Sequence, residues 1–140
     1  MTQKPSSHAA TAETKTAQAE TAHTSEHAVQ IRQTRIDKLD AWKKLGHNPY
    51  PYHFEKSHSN VDLQAKYEAL ESGVETEDVV SVAGRVMALR NSGMFIDLQD
   101  ASGKLQVFSH KENLSAEMLE ALKLVDIGDM IGATGTIRRT

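Results

Sequence analysis

Two alternating runs, Phe95-Ile96-Asp97-Leu98-Gln99 and Lys104-Leu105-Gln106-Val107-Phe108, flank the turn Asp100-Ala101-Ser102-Gly103. Alternation on both sides of a Gly-containing turn reads as a β-hairpin. Successive strand side chains point to opposite faces, so a one-residue slip would move every apolar group to the wrong side. A tight turn pairs Gln99 with Lys104; Leu98 then meets Leu105, Asp97 meets Gln106, and Phe95 meets Phe108. Met94, Ile96, Leu98, Leu105 and Val107 share the inner face. Phe95 and Phe108 land on the polar outer face beside Gln106.

The same period extends in both directions. Val79 to Leu89 reads as a strand, with Val80, Val82, Val86 and Ala88 inward and Ser81, Ala83, Arg85 and Met87 outward. Met94 to Gln99 and Lys104 to Ser109 are the second and third strands. A short helix follows with Ser115 as N-cap, and Leu114 and Leu119 are spaced as a hydrophobic staple around it. Met130 to Arg139 is a fourth, Gly-rich strand. Strand, strand, strand, short helix, strand is the first four-fifths of an OB-fold. That five-stranded Greek-key barrel binds oligonucleotides on the face of its second and third strands. The predicted fold is therefore mainly β with N-terminal helices, an OB-fold lacking its fifth strand.

An aromatic ring on a polar face is either covered by another part of the chain or offered to a ligand. A nucleobase stacked on such a ring contributes roughly 1–3 kcal/mol. Phe95 is read as a stacking platform, because the Gln106 carboxamide and the Arg85 guanidinium flank it. A Gln side chain carries both donor and acceptor for a base edge. Phe108 is read as buried.

The first half of the chain has another pattern. Residues 1–28 are Ala, Thr, Ser, Gln and Glu with few large apolar groups. Such a segment cannot bury enough surface to offset its ordering entropy and is expected to be a disordered tail. Its histidines, His8, His23 and His27, are irregularly spaced and do not read as a metal site. A helix is predicted from about Val29 to Leu45, with Ile31, Ile36, Leu39, Trp42 and Leu45 on one face and Gly46 as its stop. Arg32, Arg35 and Lys43 lie within or beside that face. Their long stems either run along a packed surface with the charges in water, or their heads contact an RNA backbone. Pro49 and Pro51 then force extended geometry. Ser59 or Asn60 caps a second helix, with Val61, Leu63, Tyr67 and Leu70 as its buried positions and Gly73 as its stop. The predicted domains are a tail over 1–28, a helical extension over 29–77, and an incomplete barrel over 78–140.

Charge narrows the choice of partner. The net formal charge is -3, so the chain is no general polycation. Residues 29–56 nevertheless carry six basic groups against three acidic ones, and residues 57–80 carry Lys66 against six acids. Any nucleic-acid contact must be local. With no cysteine there is neither a disulfide framework nor a thiolate metal site. No apolar run approaches the roughly 20 residues that span a bilayer, and neither a secretory nor an organellar leader is visible. The expected setting is the cytoplasm, away from membranes.

The segment GRVMALRNSGMFIDLQDASGKLQVF (84–108) resembles the anticodon-binding domain shared by aspartate-, asparagine- and lysine-specific class II synthetases. The upstream IRQTRIDKLDAWKKLGHNPYPYHFEKSH (31–58) is similar to the opening of lysine–tRNA ligases, and DIGDMIGATGTIRRT (126–140) to the family's fourth barrel strand. The resemblance implies a tRNA partner, with Phe95 stacking on the central anticodon base, Gln106 reading it and Arg85 adding a contact. Arg90, next to Asn91-Ser92-Gly93, is implied as a backbone contact. For a full-length enzyme the resemblance implies ATP, Mg²⁺ and a homodimer. None of the motifs here has catalytic character, so this stretch is expected to be inactive by itself and to be a piece of that enzyme. The alternatives are a free-standing OB-fold module for single-stranded nucleic acid, or the equivalent domain of an aspartate- or asparagine-specific ligase.

Overall fold

The computed structural model describes the backbone of residues 9–140 and the side chains of residues 24–140. Its elements run α1 (Ala9–Lys44), α2 (Asn60–Lys66), β1 (Glu75–Arg90), β2 (Phe95–Gln99), β3 (Lys104–Phe108), a 3-10 turn at Lys111–Asn113, α3 (Ala116–Lys123) and β4 (Met130–Arg138). The chain forms two compact units, Met1–Ala41 and Trp42–Thr140.

In the first unit, helix α1 begins at Ala9, inside the segment expected to be a disordered tail. Tertiary burial is not the only term that orders a segment. Ala, Glu, Gln and Lys favour the helix intrinsically, and at 36 residues α1 is well beyond the roughly 12–15 residues below which a helix is marginal by itself. Residues 1–8, with His8, lie outside the described residues, as does the side chain of His23. Ile31 and Ile36, expected on a packed face, are exposed.

The second unit is built on one antiparallel sheet in the order β3-β2-β1-β4. Long β1 serves two partners: its first part, Glu75 to Arg85, pairs with β4, and its last part, Arg85 to Arg90, pairs with β2. Strand β1 thereby joins the β2–β3 hairpin to β4. The enclosed core is Leu63, Val80, Val82, Val86, Ile96 and Leu98, with Leu89, Leu105, Val107, Ile131, Ala133 and Ile137 packed against it.

The domain boundary predicted at 77/78 does not match this division. Strand β1 already starts at Glu75, and α2 belongs to the same unit as the sheet. Leu63 of α2 is 2% exposed within the core. Ser59 caps α2 by accepting from the Asp62 N–H at 3.2 Å, and the Asp62 carboxylate accepts from the Ser59 N–H at 3.4 Å. Helix α2 stops at Lys66, short of Gly73, and Val61 is exposed rather than buried. With fewer than two turns of helix, Leu63 and the capping contacts anchor it, while Val61 lies beside Gly103 of the β2–β3 turn and stays 44% exposed.

Candidate nucleic-acid interface

The β2–β3 register is that expected from the turn: Phe95 opposite Phe108, Asp97 opposite Gln106, and Gln99 opposite Lys104. The turn holds it. Asp100 Oδ1 accepts from the N–H groups of Ser102 (2.8 Å) and Gly103 (3.0 Å) and from the Ser102 hydroxyl (2.6 Å). Ile96 and Leu98 are buried, while Gln106 and Phe108 are exposed. The outer face therefore divides along the strands. Gln106, Asp97 and Lys104 make its polar half. Phe95 and Phe108 make its aromatic half, with ring centroids 5.1 Å apart and planes tilted by 33°.

Phe108 is 44% exposed, which corrects its reading as a buried residue. Val107 supplies the inward contact at this end of β3, so the neighbouring side chain must face out. Phe95 is the half-buried member of the pair.

Strand β1 departs from simple alternation at a bulge. Val86 lies opposite Leu98, but it is Ala88 that lies opposite Asp97, so Met87 is the extra residue. Beyond it the faces exchange. Leu89 comes opposite Ile96 on the inner side, Ala88 moves to the outer side, and Arg90 stands directly opposite Phe95. Strict period two had sent Ala88 inward. The run Val86-Met87-Ala88-Leu89, four apolar residues with no polar alternate, is the signal in the sequence that alternation breaks there.

The bulge makes Arg90 part of the site. Its Nη2 donates to Asp97 Oδ1 at 2.7 Å, and Gln106 Nε2 approaches the same oxygen at 3.4 Å. Asp97 thus orients a guanidinium and a carboxamide beside the Phe95 ring. Arg85 sits opposite Gln99, further along the outer face, and its Nη1 donates to the Gly128 carbonyl at 2.8 Å. One of its nitrogens is therefore committed to the entry into β4. The loop after Arg90 is tightly wound: Asn91, Ser92 and Gly93 all have positive φ, at 51°, 56° and 87°.

Lys43 is exposed near the end of α1. Arg32 and Arg35 are exposed on α1 in the first unit, described by itself. A concavity of about 650 Å³ in the second unit lies elsewhere, among Phe54, Lys56, Gly84, Asp100 and Met130. Among the described residues no three His, Asp or Glu side chains are grouped to hold a metal ion. No described helix is long and apolar enough to cross a membrane.

An antiparallel sheet with aromatic and amide groups on its second and third strands, and guanidinium groups beside them on the first, is the arrangement of a barrel that binds unpaired nucleotides. The chain belongs to the OB-fold nucleic acid binding domain family, whose tRNA-anticodon model matches residues 64–140. It is similar to lysine–tRNA ligases. It is 52% identical to that of Rhizobium leguminosarum bv. trifolii (strain WSM2304) over 110 residues, 79% of this chain and 22% of the relative. Identity to the lysine–tRNA ligase of Agrobacterium fabrum is 46% over 121 residues, 86% of this chain and 24% of the relative. For Gloeobacter violaceus it is 50% over 117 residues, 79% and 24%. The chain thus spans under a quarter of the length of these relatives.

Proposed function

We propose that this chain is the anticodon-reading part of a lysine–tRNA ligase. The observation that carries the reading is the placement of Phe95, Gln106 and Arg90 on one outer face, with Arg85 further along it. The Phe95 ring stacks on the central anticodon base, a uridine for lysine. Gln106, whose amide is oriented by Asp97, reads the edge of that base. Arg90 lies within reach of the flanking phosphate, and Arg85 contacts the strand further along. Arg32, Arg35 and Lys43 add contacts to the RNA backbone.

As part of such an enzyme, the chain serves ATP-dependent attachment of lysine to its tRNA by a cytoplasmic homodimer. No described residues are grouped to hold Mg²⁺, and no step assigned to this chain runs through it or ATP.

The test is binding to an RNA hairpin whose loop carries a uridine triplet. Phe95→Ala weakens binding by roughly 1–3 kcal/mol, and the loss disappears when the central uridine is made abasic. Equal affinity of Phe95→Ala and the unmodified chain for the intact hairpin would exclude this role. The aspartate- or asparagine-specific alternative requires preference for another triplet.

A further inference from the structure

Helix α1 ends in a turn that fixes where the next side chain goes. Gly46, at φ 85°, donates its N–H to the Lys43 carbonyl at 3.0 Å, and His47 donates its N–H to the Trp42 carbonyl at 3.4 Å. This left-handed stop folds the residue after the glycine back onto the last turn of the helix, where an apolar side chain commonly packs. Here that place holds an imidazole. The rings of His47 and Trp42 have centroids 5.0 Å apart and planes tilted by 38°. His47 Nε2 is sealed from solvent and has no hydrogen-bond partner among the described residues. The carboxylate facing it is that of Glu117, in the first turn of α3. Its Oε1 lies 3.6 Å away, just beyond hydrogen-bond length. All three residues belong to the second unit, which begins at Trp42.

We propose that His47 is an acid-driven clamp between the end of α1 and α3. A neutral imidazole carries a proton on one ring nitrogen only, whereas the imidazolium donates from both. A proton taken up from solvent, as imidazoles do at about pH 6–7, makes Nε2 a charged donor toward Glu117. The gap then closes to about 2.7–2.9 Å, the length of a charge-assisted hydrogen bond. A sealed polar atom gains its missing partner. The carbonyl end of α1 favours the same positive charge. Lys43 and Lys44, in the last turn of α1, oppose it, but both are exposed and screened by water. In base the contact reverts to the packing of the two rings alone. The stretch from Trp42 to His47, Lys43 included, is thus held against α3 in acid and less firmly in base.

Trp42 is the single tryptophan of the chain, so its fluorescence reads this contact directly. The experiment measures acrylamide quenching of the full chain at about pH 5.5 and about pH 8.5, on either side of the imidazole range. Trp42 is expected to be less accessible at the lower pH. That difference is lost in His47→Phe, which keeps the apolar packing without a proton, and in Glu117→Gln, which keeps the shape without the charge. The two side chains are 35% and 60% exposed, so neither variant depends on refilling a core. Equal accessibility at both pH values in the unmodified chain overturns the proposal. So does a difference that persists in His47→Phe, because another group then causes it. A difference lost in His47→Phe but kept in Glu117→Gln also overturns the clamp, since the imidazolium then acts on the helix end without α3.

Discussion

The backbone N–H of Asn60 donates to Asp100 Oδ2 at 3.0 Å, so the first residue of α2 is bonded directly to the β2–β3 turn. The Asn60 side chain reinforces the link. Its amide nitrogen donates to the carbonyls of Gly103 at 3.0 Å and Leu98 at 3.3 Å, and the residue is fully buried. The same Asp100 folds its own turn through Oδ1. The hairpin that displays Phe95 and Phe108 is thus braced from behind by α2.

Removing that brace has a definite cost. Asn60→Ala deletes two hydrogen bonds to backbone carbonyls, one buried and one part-buried, each contributing about 1 kcal/mol, with a further penalty for any carbonyl left without a partner. We expect a loss of about 2–3 kcal/mol in a urea titration. Asn60→Asp fails as well, since a carboxylate cannot donate to either carbonyl. A variant within 0.5 kcal/mol of the unmodified chain, the range of an ordinary surface change, would show that α2 does not brace the turn.

Stability should fall in acid through Asp100. Burial raises its carboxyl pKa, but hydrogen bonds from the Ser102 hydroxyl and from the N–H groups of Asn60, Gly103 and Ser102 together outweigh burial and hold it well below the usual value. A carboxyl depressed in the folded state contributes stability that is complete above its unfolded pKa, about 3.9. That contribution is lost as pH falls from there toward the folded value. Asp100→Asn should therefore be less stable than the unmodified chain at neutral pH, and the gap should narrow below about pH 4. Parallel denaturation curves with a constant gap down to pH 2 would contradict this.

The hairpin register was legible because Leu98, Leu105, Ile96 and Val107 tolerate only one pairing across a short turn, and the structure has that pairing. The outward position of Phe95 followed from it. The role of Arg90 did not, because a bulge is a tertiary choice. Only the partner strand determines that Met87 is the residue left over. Phe108 was misread for a related reason: alternation places a ring on a face without saying whether anything covers it. The N-terminal helix was underestimated at its start because local propensity can act without burial. The commitment of Arg85 to Gly128 is invisible in sequence, since 43 positions separate the two.

Arg90 and Gln106 approach the same carboxylate oxygen but should fail differently. If Arg90 serves the RNA backbone, Arg90→Gln weakens every hairpin alike and lowers the slope of log affinity against log salt by about 1. Gln106→Ala should leave the salt slope unchanged and reduce the preference for the uridine triplet, costing about 1 kcal/mol on the preferred loop. Titrations at several salt concentrations with matched and mismatched loops measure both. An unchanged slope in Arg90→Gln would place its guanidinium away from phosphate.

Two glycines in the sheet make opposite predictions, although both have backbone conformations open to any residue. A Cβ at Gly84 would lie 2.7 Å from the Gln99 carbonyl oxygen, and that atom belongs to a paired backbone. A Cβ at Gly132 would lie 2.5 Å from the ring of Phe54, a side chain that is 44% exposed and can rotate outward. Replacing glycine where the conformation permits restricts the unfolded chain and contributes about 0.4–1 kcal/mol in favour of folding. At Gly132 that gain offsets the displaced ring, so Gly132→Ala should be within about 1 kcal/mol of neutral. At Gly84 the obstruction is main chain that cannot rotate away, and Gly84→Ala should lose about 1–3 kcal/mol, the usual cost of overpacking. Since Gln99 ends the strand that carries Phe95, Gly84→Ala should also weaken RNA binding, whereas Gly132→Ala should not. Thermal melts and hairpin titrations of the two variants together check this. Equal destabilisation would mean that Phe54 is held as firmly as the backbone of β2.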